Sequence, residues 1–361
     1  EIGSGLVGSE MCIRDRDHTG FDIKFYSFIP TSRCIKFGLQ KKCIVSLFGI
    51  IAPFLILRRI FPKLSWIHIK VQDFIMGIFM RKCDICISLT GYVYAPRIAQ
   101  KKGAIIIMER GSKHILEQKK ILEKNPHKKN EAIPNRNIKC NLKAYQFANF
   151  ISVASQHVKE SFLLHQYPEN RIFVNPYGVD LSMFKPLPNI PKKYDVIMVG
   201  GWGYEKGCDL IVEAIRKTNY SFIHVGSIKD VDFPQEKNFT HIDPVDQSKL
   251  IEYYNQAKVF ILPSRQDGFG MVLSQALACN LPIIGSNNCG APDLKKMVEL
   301  PEYITIIKDY TADAIVTAIH TAIKNYEQLG ERIYAGNAIE NLTWEAYGKR
   351  YANFLHKIIK Q

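Results

Sequence analysis

The sequence predicts an α/β protein made of two facing Rossmann-like lobes, each a doubly wound parallel sheet. Three observations carry this expectation. The chain has 361 residues, 47% hydrophobic and 23% charged, a globular composition longer than one ordinary core needs. Short apolar strands alternate with helices, and parallel strands require such crossovers. Residues 186–193, PLPNIPKK, hold three prolines with neither helical nor strand period, which marks a linker between two units.

The elements follow in order. Residues 1–16, EIGSGLVGSEMCIRDR, lack the basic start and apolar core of a signal peptide. They resemble a translated sequencing-adaptor scar, so the natural start of the first lobe (17–188) is expected to be missing. Asp22–Phe28 reads as a strand, and the region to Ile78 as apolar and basic helix or strand without a clear division. Strands are expected at Cys83–Leu89, Ala104–Met108, Phe150–Ala154 and Ile172–Asn175, with helices at Val93–Lys102, Ile115–Lys124 and Leu142–Ala148. Asn125–Asn137 is a polar loop, and Ser155 can cap the helix after it. In the second lobe (189–342), strands fall at Val196–Val199, Ser221–Val225, Thr240–Ile242, Val259–Leu262 and Pro282–Ile284. Helices fall at Cys208–Lys217, Gln247–Ala257, Gly270–Ala278 and Ala312–Tyr326, and a last one at Thr343–Ile359.

The formal charge of +14 is unevenly placed: residues 1–190 carry 29 Lys+Arg against 14 Asp+Glu, net +15, and residues 191–361 carry 19 against 20, net −1. A basic lobe suits nucleic acid, an anionic membrane surface or a phosphorylated substrate. No helix-turn-helix, zinc-finger or RNP-like signature accompanies it, so nucleic acid is not expected as a partner. The apolar run Cys43–Leu57 contains Gly49 and Pro53 and is shorter than the ~20 residues a spanning helix needs. Flanked by Lys41, Lys42, Arg58 and Arg59, it reads equally as an interfacial helix or a buried one. Nine scattered cysteines do not form a secreted disulfide framework and fit a reduced cytoplasm. Cys83-Asp-Ile-Cys86 has redox or half-zinc spacing, but no second pair completes it. No His, Asp and Glu cluster has metal spacing, and His157, His165 and His224 read as core or surface.

Two loops carry the chemistry. Gly200-Gly201-Trp-Gly-Tyr-Glu-Lys206-Gly207 lies between a strand and a helix, where glycines let backbone amides approach a phosphate and the helix start favours negative charge. A merely tight turn is the alternative. Pro263-Ser-Arg265-Gln-Asp267-Gly268-Phe269-Gly270 repeats the arrangement, with Met271 and Val272 opening the helix and Gln275 further along. Phe269 to Gln275 spans roughly 9 Å of helix, so a diphosphate at the helix start would leave its ribose beside Gln275. In the first lobe, Glu109-Arg110-Gly-Ser-Lys-His114 follows a strand and precedes a helix. It reads either as a site for acceptor or donor phosphate or as helix capping with surface charge. Trp202 either walls the pocket or packs.

With these segments in view, the chain resembles the retaining GT-B glycosyltransferases of family 4. The likeness rests on VNPYGVDLSMFKP (174–186), VGGWGYEKGCDLIVEAI (199–215) and ILPSRQDGFGMVLSQALACNLPIIGSNNCGAPDL (261–294), with FANFISVASQHVKESF upstream. The stretch ERGS-x-H-x-x-x-Q, ending at Gln118, is similar to a subset of bacterial polysaccharide glycosyltransferases. The resemblance implies that the second lobe binds a nucleotide-sugar through Gly200, Gly201, Lys206, Arg265, Asp267, Gly268, Phe269, Gly270, Met271, Val272 and Gln275. Lys206 and Asp267 would be catalytic, and Glu109, Arg110 and His114 would serve the acceptor side.

It further implies that segment 343–361 packs back on the first lobe and that neither metal nor cofactor is needed. The acceptor would be a glycan or lipid-linked glycan in bacterial surface polysaccharide synthesis (lipopolysaccharide or capsule). The setting would be cytoplasmic, at the inner face of the membrane. The family's paired glutamates fall on Asp267 and Gln275, and its usual loop arginine falls on Gly201, for which Arg265 is the nearest substitute by sequence. Those departures leave open a non-catalytic sugar-nucleotide-binding partner, and a sugar phosphorylase or epimerase is a further reading.

Overall fold

The computed structural model describes residues 20–36, 39–61, 67–127, 133–298, 300–329 and 336–360. The stretch read as an adaptor scar lies outside them. In the first lobe, β1 (Phe25–Ser27) and β2 (Ile44–Ser46) pair in parallel around α1 (Thr31–Lys36), followed by α2 (Phe48–Ile60) and α3 (His68–Phe79). Next come β3 (Ile85–Leu89), α4 (Tyr94–Lys101), β4 (Ile105–Arg110), α5 (Ile115–Leu122), α6 (Asn135–Phe147), β5 (Phe150–Val153), α7 (Gln156–Leu163) and β6 (Ile172–Val174). These strands form one parallel sheet in the order β3-β4-β5-β6. The buried Asp73 of α3 accepts from the amides of Val93, Tyr94 and Ala95 at 2.8, 2.7 and 2.8 Å. One carboxylate thus fixes the start of α4 by meeting amides that lack helical partners.

The second lobe comprises β7 (Tyr194–Val199), α8 (Cys208–Arg216), β8 (Phe222–Val225), β9 (Phe239–Ile242), α9 (Leu250–Asn255), β10 (Ala257–Leu262), α10 (Met271–Ala278), β11 (Ile283–Ser286), α11 (Ala291–Met297), β12 (Ile304–Ile307) and α12 (Ala312–Leu329). Its six parallel strands lie in the order β12-β11-β10-β7-β8-β9. The order reverses between β7 and β10, the doubly wound arrangement that opens a crevice at the strands' carboxyl ends. The sequence reading missed β12 and α11, whose short apolar stretches carry too little periodicity to stand out.

The two sheets are covered differently. Strand alternation sends Ile106 and Met108 of β4 into a core with Ala95, Ala99, Tyr145 and Phe162. Ile105 and Ile107 face the other way, against Trp344, Tyr347, Tyr351, Leu355 and Ile358 of α13 (Trp344–Ile359). Strands joined consecutively by right-handed crossovers place their helices on one face, so the chain's last helix covers the second. Thr343 caps α13, accepting from Ala346 N at 3.1 Å. Arg350 ties the strap down, donating to Asn175 Oδ1 at 2.8 Å and Pro176 O at 2.9 Å.

The apolar run, which reads as interfacial or buried, forms a helix with an exposed apolar face. Among the described side chains of α2 only Ile51 is fully buried, whereas Ile56 and Ile60 are each 64% exposed; Phe74 and Ile78 of α3 are 54% and 59% exposed. The buried-helix reading is therefore corrected: once Leu47 and Ile51 have packed, α2 keeps an open apolar face. No helix among the described residues is long and apolar enough to cross a membrane.

Candidate active site

The two glycine loops lie side by side because their parent strands, β7 and β10, are neighbours at the point where strand order reverses. Glu205 O accepts from the amides of Arg265 at 2.9 Å and Gln266 at 3.3 Å, joining the loops through backbone. Gly207 has φ +73°, and a Cβ there would lie 2.4 Å from Pro263 O. Both its conformation and the close approach therefore require glycine.

At the junction, Lys206 Nζ donates to Asp267 Oδ2 at 2.6 Å, the side chains 20% and 18% exposed. Burial opposes protonation of Lys206, but Asp267 and then Glu205 outweigh it and raise its pKa. The group is a cation at neutral pH. The α10 helix starts at Gly270, so its unpaired first-turn amides at Met271 and Val272 lend partial positive charge to the same loop. Beneath the first loop, the neutral buried His224 meets Gly200 O through Nε2 at 2.8 Å and His241 Nδ1 through Nδ1 at 2.9 Å.

The first lobe closes directly onto these loops. A Cβ on Gly268 would come within 2.0 Å of Gly111 O. Ser155 Oγ donates to Gly268 O at 2.6 Å, Gln266 Nε2 to Ser112 Oγ at 2.7 Å, and Lys113 Nζ to Asn288 Oδ1 at 2.7 Å. Asp293 accepts from Gln156 N at 3.0 Å, and burial raises its pKa to about 6. His157 is 8% exposed, and neither ring nitrogen is hydrogen-bonded among the described residues. Burial and then Lys113 hold its pKa down to about 4, against the pull of Asp267.

Several expected site residues go elsewhere. Arg265 does not supply the missing loop cation: its guanidinium binds Asp209 at 2.6 and 2.7 Å, donates to Tyr204 O and stacks 3.8 Å from the Tyr204 ring centroid. Its charge is neutralised by α8. Gln275 is buried, and its Oε1 accepts from Tyr254 at 3.0 Å, which turns the carboxamide oxygen into the core rather than toward a ribose. Arg110 binds Lys113 O, Asn141 Oδ1 and Gln118 Oε1, so it shapes its own loop instead of reaching an acceptor.

His114 is buried with its ring stacked 4.0 Å from that of His165. Burial, then His165 and Arg110, lower its pKa to about 3, and its Nδ1 accepts from Leu116 N as an N-cap. Glu109 sits at the end of β4, paired in register with Leu89 and Ser152. Phe269 is buried edge-on against Tyr177, and its part in the loop is backbone. Trp202 is fully buried among Phe222, His224 and Phe233 and packs rather than walls the cleft. Burial pushes the Cys86 thiol to about 12 and raises that of Cys83, so neither is a ready thiolate.

Ser155, expected as a helix cap, makes no cap bond and donates across to Gly268 instead, and His157, expected in core or surface, is buried near the same contact; with Ser112, the unexpected Lys113 and Gln266 carry the other hydrogen bonds between the lobes. Ser112 and Lys113 adjoin residues that were singled out, and their place at the carboxyl end of a strand was the available signal. His157 had no such mark, since its role depends on a loop more than a hundred residues away.

Two parallel-sheet lobes that meet across adjoining glycine loops and a Lys206–Asp267 pair define a protein of the GT-B fold. Residues 182–338 match the model described as "Glycosyl transferases group 1". The match covers the second lobe and not the first. It is 26% identical over 242 residues to a "Probable sucrose-phosphate synthase" of Thermosipho melanesiensis, covering 59% of this chain and 56% of that protein. It is 30% identical over 140 residues to an "Uncharacterized 41.2 kDa protein in cps region" of Klebsiella pneumoniae, covering 35% and 39%. The match thus spans 56% and 39% of the length of these two curated relatives. Among solved structures, Anabaena HepE in complex with UDP and glucose aligns with a TM-score of 0.63 at 13% identity, over 97% of this chain and 96% of that one. At that identity the likeness speaks for the fold.

Proposed function

We propose that this protein is a retaining glycosyltransferase. It moves a sugar from a nucleoside diphosphate to a hydroxyl of a glycan or lipid-linked acceptor in bacterial surface polysaccharide synthesis. The observation that carries the reading is the Lys206–Asp267 pair, set where two glycine loops meet and the first lobe closes. The family match and the UDP and glucose bound by the Anabaena relative support a nucleotide-sugar donor. The cps-region relative supports the surface-polysaccharide setting.

The bond from the anomeric carbon to the diphosphate oxygen breaks, and negative charge grows on the leaving group. An ammonium has three donors, so Lys206 can keep Asp267 and still bind a diphosphate oxygen, while the loop amides and the α10 start add partial charge. The acceptor oxygen attacks the same face, and its proton passes to the departing phosphate. Asp267, anchored by Lys206, steadies sugar hydroxyls and favours positive charge at the anomeric carbon. The contacts at Gly111–Gly268 and Ser155 exclude water that would hydrolyse the donor. In this reading side chains and backbone balance the leaving charge, so turnover is expected to survive a chelator.

The reading places the enzyme at the inner face of the cytoplasmic membrane. Support comes from the net charge of +15 over residues 1–190 and from the exposed apolar side chains of α2 and α3, which suit shallow insertion beside anionic headgroups.

A thermal-shift panel of UDP-, GDP- and ADP-sugars tests the donor site, since only a bound ligand raises the melting point; no shift with any of them removes the reading. Product analysis by NMR should then show a retained anomeric configuration. Binding without transfer or hydrolysis would instead make the chain a non-catalytic partner, and phosphate-dependent cleavage would make it a phosphorylase.

A further inference from the structure

Among the described residues, Lys206, Arg265 and Lys229 flank the paired glycine loops, and the first two are engaged. Lys206 holds Asp267 at 2.6 Å and Arg265 holds Asp209 at 2.6 and 2.7 Å. The third is Lys229, from the loop after β8. That loop is zipped to the glycine loop by backbone: Trp202 N donates to Ser227 O at 2.8 Å, and Lys229 N donates to Trp202 O at 2.9 Å. Asp230 fastens the far side, accepting from Tyr204 N at 2.9 Å and from Asn125 Nδ2 of the first lobe at 2.8 Å. With its backbone pinned at both ends, Lys229 lays its side chain across Gly201. A Cβ on Gly201 would lie 2.3 Å from Lys229 Cε, 2.8 Å from Nζ and 3.0 Å from Cδ.

The neighbouring glycines sharpen the point. Gly200 has φ +128° and needs to be glycine for its backbone. Gly201 does not adopt a positive φ, so a side chain is disfavoured there by space alone, and the occupant of that space is a lysine. Lys229 is exposed, and its ammonium makes no hydrogen bond or ion pair with the described residues. An uncommitted cation is thereby held against Gly201 of the loop.

We propose that Lys229 is the second diphosphate-binding cation of this site, filling from a neighbouring loop the volume that Gly201 leaves open. The inference rests on the donor reading above and adds to it a residue outside both glycine loops. With Lys206 shared with Asp267, Lys229 carries the charge that offsets the second phosphate, and it contacts the leaving group as a charge-assisted donor.

Calorimetric titration of the full chain with UDP, GDP and ADP, and with the matching nucleosides, tests this. For whichever diphosphate binds, Lys229→Ala is expected to weaken affinity about tenfold to a hundredfold, the range of a charged hydrogen bond. Nucleoside affinity and melting temperature should stay unchanged. Placing the cation on the other strand of the zipper, in the double variant Lys229→Ala with Gly201→Arg, should recover most of the loss. If Lys229→Ala binds the diphosphate within twofold of the parent, the inference is overturned while the donor reading stands. If the parent binds none of the three diphosphates, the donor reading itself fails and takes this one with it.

Discussion

The core of the second lobe is supplied almost entirely by residues 179–342, whereas the first-lobe sheet leaves Ile105 and Ile107 to be covered by α13, from the far end of the chain. The same contrast holds at the surface. Tyr254, Phe260 and Phe269 are fully buried in the second lobe, while α2 and α3 leave Ile56, Ile60, Phe74 and Ile78 open. The second lobe therefore holds its charged site on a core that its own strands and helices complete, whereas the first lobe depends on a helix from the far end of the chain and leaves apolar side chains exposed. The strap couples the two, since the chain runs from the second lobe into α13, with Thr343 bridged to Val179 at its start, and α13 packs on the first lobe.

The comparison can be broken first at the site. If the second lobe supplies the chemistry, Lys206→Ala should cut turnover about a hundredfold to a thousandfold, as removal of a charge-stabilising donor does. Steady-state assay should show this in kcat with little change in melting temperature. Next is the borrowed helix. Leu355→Ala should cost about 2–5 kcal/mol, the usual loss for an emptied core site. Hydrogen exchange should rise in β3–β6 and stay low in β7–β12; equal loss in both lobes would show that they are one cooperative unit.

Acid offers a third contrast. His224, held by burial at a pKa of about 4, and His157, also at about 4, are neutral in the folded state. A histidine with a folded pKa below its unfolded value near 6.5 contributes stability above about pH 6.5 and loses it as pH falls through about 4. By pH 5 each accounts for about 2 kcal/mol. Asp293, raised to about 6, runs the other way, its contribution lost as pH rises from 3.8 through 6. Melting curves from pH 7 to 4.5 should therefore fall less steeply for His224→Asn than for the parent.

Smaller effects lie at the seam and the outer face. Gly268→Ala must displace Gly111 O and should cost about 1–3 kcal/mol of closure, as overpacking does. That would lower kcat about tenfold or more while nucleotide affinity is kept. Ile56→Glu touches only the open face of α2 and should change stability by less than about 0.5 kcal/mol. Its effect belongs in co-sedimentation with anionic vesicles, which should drop; unchanged binding would place the membrane contact elsewhere.

Much of the fold of this protein is legible in its sequence. The alternation of apolar strands and helices predicts parallel sheets, which the structure has; the three prolines of residues 186–193 lie between β6 and β7, and the two glycine loops follow β7 and β10. These signals are local: strand period, proline geometry and the backbone freedom of glycine are properties of a few adjacent residues. The α2–α3 region was not legible, because an apolar helix with an open face reads the same in sequence as a buried one.

Destinations of side chains were decided only by the tertiary structure. Arg265 sits two residues from Asp267 yet belongs to Asp209; Gln275 lies on the expected helix yet turns to Tyr254; and Lys229, without a motif of its own, lies across Gly201. The sequence by itself determined which turns a phosphate could approach, since that depends on backbone the local residues control. Which charges stand beside those turns was set by packing among strands distant in the chain, because an ion pair forms with whatever partner the fold brings within reach.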